Sequence, residues 1–367
     1  MFPYRLLRPL LFRLNAETAH NLVIGGARVT QALPRFGAQP RTTQRIDSRL
    51  ATTIAGLRLR SPIGLAAGLD KSGHAIASLQ SLGFGHLEIG SVSARPSLGN
   101  PRPRLWRLTK DRGIKVHYGL PNDGASVVAK RLQMLSERGT LVVPLGINIV
   151  NTNDGPSDDA TEDQILDDYL QSAKLLAPFA SYLMLNLSCP NTSDGRGFFE
   201  TTSRLAGLLK DIQFKAFDIP IFLKVSPDWN DHLIDEVIDI ALQNANVSGL
   251  MLNLSSQSGS TFKIKHQRLQ RLPGAISGQP IKHWMDQKTA WLYRKTRQTR
   301  LHLISAGGIE NADDVLRRVR LGASIVQLYT ALIYHGPKLV RSINHDLSQK
   351  LGHQGILNIS ELIGQDT

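Results

Sequence analysis

The chain has 367 residues, 43 Lys and Arg against 30 Asp and Glu, a formal charge of +13 and a single cysteine. One cysteine excludes an internal disulfide and suits a reducing compartment, and no apolar run reaches the roughly eighteen residues of a membrane-spanning helix. The basic residues are scattered through an N-terminal arm and residues 95–112, 263–271 and 294–300, without the aromatic ladder or basic helix of nucleic-acid modules. The charge therefore points to an anionic small molecule or lipid surface and not to nucleic acid.

Residues 1–20 interleave Leu6, Leu7, Leu10, Leu11, Phe12 and Leu14 with Arg5, Arg8 and Arg13. The arginines deny a signal peptide its uninterrupted apolar centre. The pattern suits an interfacial helix pair on anionic lipid, or equally a helix packed on its own domain. Residues 1–45 are expected as an amphipathic helical extension and 46–367 as one α/β unit.

From residue 57 onward, eight apolar strand-like runs occur at 61–67, 86–92, 141–149, 182–187, 220–225, 247–252, 302–306 and 324–329. Helical periodicity lies between most of them, at 73–82, 125–136, 161–177, 202–216, 231–243, 287–299 and 311–320, several opened by Ser, Thr, Asp or Asn. Strands alternating with helices in this number predict a (β/α)₈ TIM barrel, with an open doubly wound sheet as the other reading.

In a barrel, the residues after each strand gather at one face and carry the chemistry. Read off in order, they are Ala66, Ala67, Gly68 and Lys71; Ser91; Asn148; Asn186, Ser188, Cys189 and Asn191; Lys224; Asn253 and Ser255; Ala306, Gly307 and Gly308; Tyr329 and Thr330. Paired acids for glycoside chemistry are absent from this set, and no cluster has zinc spacing, so no metal is expected. Cys189 follows a buried run and precedes a proline. It reads as a small buried hydrophobe or, flanked by amides, as a proton acceptor once its pKa falls. Ser277-Gly278 and Gly307-Gly308, followed by Tyr329-Thr330, stand where barrels build phosphate sites, so a phosphorylated ligand is expected. The Gly83-Phe84-Gly85 stretch resembles a dinucleotide fingerprint but precedes a strand, which disqualifies it.

Taken together, these motifs resemble the quinone-linked class of dihydroorotate dehydrogenases over nearly the whole chain. The resemblance rests on Leu11 to Leu14, Ala19-His20, Leu65 to Lys71, Gly83 to Gly85, Glu88 to Val92, Arg95-Pro96, Gly99-Asn100, Pro103 to Leu105, Gly146 to Ile149, Ser277-Gly278, Gly307 to Ile309 and Val326 to Tyr329. It implies an FMN-dependent enzyme peripheral to the cytoplasmic side of the inner membrane, acting on a small molecule, with a membrane quinone as acceptor. By resemblance, Ala67, Gly68, Lys71, Ser91, Asn148, Asn186, Lys224, Asn253, Gly278, Gly307, Gly308, Tyr329 and Thr330 would hold the flavin. Lys71, Asn186, Asn191 and Asn253 would contact substrate. His20 and Arg107 would lie near the quinone.

Four departures from the family pattern stand out, of which the first preserves the chemistry and the other three bear on the substrate. Cys189 stands at the catalytic-base position, where the quinone-linked class usually has Ser and the soluble class of the family uses Cys; Lys71 accompanies it. The family's Asn-Arg-Met-Gly-Phe-Asn-Asn loop reads Val116 to Asn122 here, so Val116 lacks the hydrogen bonds of the amide it replaces and Pro121 lacks a donor. Leu254 follows Asn253 where Thr or Ser is expected, and Val150-Asn151 stands where the family has Gly-Lys. A site stripped of a designed donor discriminates against its former ligand. The expectation is an FMN-dependent dehydrogenase acting on CH–CH or CH–NH groups of a substrate other than, or in addition to, dihydroorotate, with His117 and Tyr118 as candidates for new substrate contacts or, equally, for packing within the loop. An authentic dihydroorotate dehydrogenase of pyrimidine synthesis and a non-catalytic flavin-binding regulatory protein are the alternatives.

Overall fold

The computed structural model describes residues 4–32, 46–155, 160–189, 197–214, 218–254, 262, 264–265 and 267–367. Two helices, α1 (Tyr4–Arg13) and α2 (Ala16–Ala32), come first, followed by a hairpin of β1 (Thr52–Ile54) and β2 (Leu57–Leu59). The main body then runs β3 (Ile63–Leu65), α3 (Ile76–Gln80), β4 (His86–Val92), β5 (Leu105–Leu108), β6 (Gly113–Val116), α4 (Ala125–Glu137), β7 (Leu145–Ile149), α5 (Glu162–Leu176), β8 (Tyr182–Asn186) and α6 (Thr202–Phe214). It continues through β9 (Ile221–Val225), α7 (Asp231–Gln243), β10 (Val247–Leu252), α8 (Gln267–Gln270), β11 (Ala275–Gly278), α9 (Lys282–Thr296), β12 (His302–Ala306), α10 (Ala312–Arg320), β13 (Ile325–Leu328), α11 (Thr330–His335) and α12 (Leu339–His353).

The eight apolar runs become β3, β4, β7, β8, β9, β10, β12 and β13, which pair in parallel in chain order and close into a barrel. Their near-continuous apolar sequences fit strands buried on both faces. Helices cover the outside, and the polar residues expected to open them do so: Thr161, Asn230 and Asn311 each accept from the first turn of the helix that follows. Tyr182, Met184, Phe222, Met251, Ile304 and Ile325 fill the barrel, and Ile54 and Leu59 of the β1–β2 hairpin join this cluster as its plug.

Several elements went unread in the sequence. Expected strand 141–149 begins at Leu145, and expected helix 287–299 begins five residues earlier, at Lys282. The larger omission is a second, antiparallel sheet of β5, β6 and β11, in which Val116 pairs with both Leu105 and Ala275. Arg107 in β5 and Lys115 in β6 interrupt these strands, so neither shows the apolar run that marks the barrel strands. This sheet carries the divergent loop and lies against the barrel mouth.

The N-terminal helices dock at the same end. Tyr4 Oη donates to Ile333 O at 2.5 Å, Arg8 Nη1 to Tyr334 O at 2.9 Å, and Phe12 meets Tyr334 edge-on with ring centroids 5.6 Å apart. Glu17 receives Arg104 at 2.8 Å and Arg102 at 3.1 Å. No residue of α1 is buried, and Leu6, Leu10, Leu22, Val23 and Val29 each leave more than half of their surface exposed. Among the described residues no helix is long and apolar enough to cross a membrane.

Candidate active site

The polar residues at the strand ends converge on one cavity at the barrel mouth. Ala66, Ala67, Gly68 and Lys71 from the end of β3, Ser91 from β4, Asn186 and Cys189 from β8, Lys224 from β9 and Asn253 after β10 form its floor and one wall. Gly278, Gly307, Gly308, Tyr329 and Thr330 form the opposite wall. Asn148 stands one layer behind, fully buried, taking the Ser91 hydroxyl on Oδ1 at 2.5 Å. Asn191 and Ser255 lie outside the described residues.

Two lysines give the cavity its charge. Lys71 Nζ donates to Gly68 O at 2.9 Å and sits 3.9 Å from the centre of the Tyr118 ring. Burial pulls its pKa down to about 8, with Asp70 opposing and Arg104 adding to the fall. Burial also lowers Lys224, against the pull of Glu88 and Cys189, and no described residue accepts a hydrogen bond from its ammonium group. The one carboxylate among the described lining residues, Glu310, is already paired with Arg112 at 2.8 Å and His335 at 3.2 Å. The cavity therefore has unsatisfied positive charge and suits an anion. Cys189 is buried within it, 3 % exposed.

The glycine wall is shaped for close approach. Gly278, Gly307 and Gly308 have φ of +90°, +93° and +76°, a region that strains any residue with a Cβ. A Cβ at Gly278 would come within 2.5 Å of Arg112 O, and one at Gly308 within 2.5 Å of the Lys282 Cβ. Arg318, 1 % exposed, holds this turn from behind: its guanidinium donates to Ser305 Oγ, Ala306 O and Gly307 O at 2.9 Å each and to Asp286 at 3.0 Å. With both carbonyls engaged there, the turn is set in one conformation. Ser277 Oγ and Thr330 Oγ1, 2.9 Å apart, close the wall. Buried Tyr329 Oη and Gln327 Oε1 have no partner among the described residues, which is where a polar ring system would satisfy them. Free lysine donors, unpaired buried acceptors and a glycine-lined anion corner together fit a flavin mononucleotide.

The third wall is the divergent loop. Val116, Tyr118 and Leu120 line the cavity; Gly119 and Leu120 have φ of +64° and +63°, so the chain turns after Tyr118. His117 does not line it: its Nε2 lies 3.1 Å from Asn100 Nδ2, which suits the packing alternative for this residue. The two residues expected near a quinone are held apart in role. Arg107 donates to Leu14 O at 2.8 Å and Leu11 O at 3.3 Å and stacks on Phe12, tying the α1–α2 turn to β5. His20, on α2, lines a second cavity with Lys71 and Tyr118, and burial followed by repulsion from Lys71 pulls its pKa down to about 3. Among the described residues no group of His, Cys, Asp and Glu could hold a metal.

Sequence reasoning missed Glu88 and Gln327, buried beneath the site, and Arg318 behind it. Glu88 carried a readable signal: a carboxylate inside an otherwise apolar strand needs partners.

Comparison with known proteins accords with this geometry. The family model described as Dihydroorotate dehydrogenase matches residues 49–351. The chain is similar to proteins named dihydroorotate dehydrogenase (quinone): it is 36 % identical over 367 residues to that of Mycobacterium sp. (strain KMS), covering 99 % of each chain. It is 36 % identical over 369 residues to that of Novosphingobium aromaticivorans, covering both chains completely. Among solved structures, the ligand-free enzyme of Eimeria tenella superposes with a TM-score of 0.80 at 30 % identity, over 95 % of this chain and 99 % of that one. The chain belongs to the dihydroorotate dehydrogenase family, whose quinone-linked members are FMN flavoproteins and oxidoreductases acting on CH–CH groups.

Proposed function

We propose that this protein is an FMN-dependent dehydrogenase that desaturates a substrate other than, or in addition to, dihydroorotate. FMN bound in the cavity supplies a hydride acceptor. Lys224 and Ser91 would hold its ring, and Gly278, Gly307, Gly308 and Thr330 would hold its phosphate. Cys189 accepts the proton from the substrate carbon next to the one that loses hydride. Lys71, Asn186 and Asn253 orient the substrate, and Lys71 answers its negative charge.

The carrying observation is the loop wall. Val116, Tyr118 and Leu120 present an aliphatic chain, a ring and an aliphatic chain to the cavity, so the substrate meets a more apolar surface there than an amide-bearing loop would offer. The second reading, an authentic dihydroorotate dehydrogenase, is favoured by Lys71, Asn186 and Asn253 sharing the same cavity. Complementation of a pyrimidine auxotroph separates the two. Failure by soluble, flavin-loaded protein supports a changed substrate, and growth supports the second reading.

The exposed leucine and valine face of α1 and α2, with Arg5 and Arg13 beside it, is read as a peripheral contact with an anionic membrane surface, from which a quinone takes the electrons.

A further inference from the structure

Beneath the cavity, on the barrel axis, lies a carboxylate that the chemistry above does not use. Glu88 on β4 is fully buried. Its Oε2 accepts from Tyr182 Oη at 2.9 Å and Gln327 Nε2 at 2.8 Å, and its Oε1 accepts from Asn148 Nδ2 at 3.0 Å. From Asn148 a chain of hydrogen bonds climbs to the site. Ser91 Oγ donates to Asn148 Oδ1 at 2.5 Å, Asn186 Nδ2 donates to Ser91 Oγ at 3.1 Å, and Asn253 Nδ2 donates to Asn186 Oδ1 at 3.0 Å and to Ser188 O at 2.9 Å.

An amide or a hydroxyl can face either way, because each carries both a donor and an acceptor, whereas a backbone N–H only donates and a backbone carbonyl only accepts; Glu88 Oε1 accepts from Asn148. At the upper end, Leu254 N donates to Asn253 Oδ1 at 2.9 Å and Ser188 O accepts from Asn253 Nδ2, so the backbone fixes Asn253 and, through it, Asn186; Glu88 Oε1 fixes Asn148 and with it the Ser91 proton. Facing Glu88, Asn148 must present its nitrogen, which leaves its oxygen for Ser91. The Ser91 proton is committed to Asn148, so Ser91 turns lone pairs to Asn186 and to the cavity. Asn186, fixed from the Asn253 end, presents its nitrogen to Ser91 and its oxygen to Asn253, and both Asn253 amide hydrogens are spent on protein acceptors. Ser91, Asn186 and Asn253 line the cavity, whereas Glu88 does not.

We propose that Glu88 is a positioning residue that, through Asn148, makes Ser91 present a lone pair and not its proton to the cavity, and so determines which polar edge of FMN is accepted there. Ser91 offers an acceptor, Lys224 offers donors, and Asn186 keeps one amide hydrogen. A ligand edge that alternates acceptor and donor matches this order, and the reverse edge leaves buried groups facing like with like.

The test is FMN release from the purified holoenzyme, followed by flavin fluorescence on dilution, in the parent, in Glu88→Gln and in the double variant Glu88→Gln/Asn148→Asp. The single change keeps shape but can offer a donor to Asn148, so a clash of like groups must be absorbed somewhere along the chain. FMN affinity is expected to fall about ten- to a hundred-fold. In the double variant the introduced amide donates to the introduced carboxylate, which again accepts the Ser91 proton, and at least ten-fold of the lost affinity is expected to return. A purely structural role for Glu88 would not be repaired by moving the acceptor one residue along. If Glu88→Gln holds FMN within two-fold of the parent, or if the folded double variant binds no better than the single one, the proposal fails. If the single variant does not fold, the double variant decides alone. Folding with FMN bound supports the proposal; folding without FMN, or not folding, assigns Glu88 to barrel stability and overturns it.

Discussion

Replacing Arg318 by Met is expected to damage both stability and the flavin site. The guanidinium is buried and donates to Ser305, Ala306, Gly307 and Asp286 at 2.9–3.0 Å. Met fills much of the volume but donates nothing. Ser305 keeps Thr289 at 2.7 Å, and Asp286 keeps Arg317 at 2.7 Å, so those two are partly compensated. The carbonyls of Ala306 and Gly307 lose their Arg318 donor. Removing one partner of a buried ion pair costs about 3–5 kcal/mol, and the surviving Arg317 contact places this change near the lower end, about 3 kcal/mol. A freed Gly307 carbonyl also lets the positive-φ turn move, so FMN affinity is expected to fall about ten-fold or more. Urea unfolding read at constant m-value gives the first quantity, and fluorescence titration of FMN gives the second. A loss below about 1 kcal/mol with unchanged FMN affinity would refute the reasoning that Arg318 sets the Gly307–Gly308 turn.

Cys189→Ala is expected to slow flavin bleaching by any reducing substrate by about 10²–10⁴-fold, the range for a lost general base, in stopped-flow absorbance with FMN still bound; unchanged bleaching would remove Cys189 from catalysis. Lys71 has a folded pKa of about 8 against a reference of 10.5, so the unfolded chain binds more protons between those values and stability rises with pH across that window. Lys71→Met is expected to flatten that rise in urea midpoints measured from pH 7 to 10, and an identical slope in both proteins would contradict the assignment. Val116→Asn returns an amide to the loop wall and is expected to raise dihydroorotate-dependent bleaching at least about ten-fold, whereas no gain would show that Val116 does not limit this substrate. Leu6→Glu with Leu10→Glu, at residues 61 % and 58 % exposed, is expected to lower co-sedimentation with anionic vesicles more than about ten-fold without changing the unfolding midpoint; equal sedimentation would remove the helix face from membrane contact.

The barrel was legible because its strands are short apolar runs separated by amphipathic helices, several of them capped, a pattern that survives in one dimension. The site followed from the rule that strand ends converge, which placed Lys71, Ser91, Cys189, Lys224 and the Gly307–Gly308 turn around one cavity. What escaped was whatever depends on a partner distant in sequence. The β5–β6–β11 sheet joins Val116 to Ala275 across a gap that no local period encodes. Whether His117 or Tyr118 meets the cavity turns on the phase of an extended segment, and only the pairing of β6 fixes that phase. Glu88, Tyr182, Asn148 and Gln327 lie on four different strands, so their network exists only once the barrel closes.

The most direct test of the changed-substrate reading is anaerobic addition of dihydroorotate to the purified holoenzyme while oxidised-flavin absorbance is followed. The loop wall of Val116, Tyr118 and Leu120 predicts no rapid bleaching at low substrate, with the bound FMN still reducible by dithionite. Rapid bleaching at low dihydroorotate would contradict that reading and identify the protein as an authentic dihydroorotate dehydrogenase with a divergent loop.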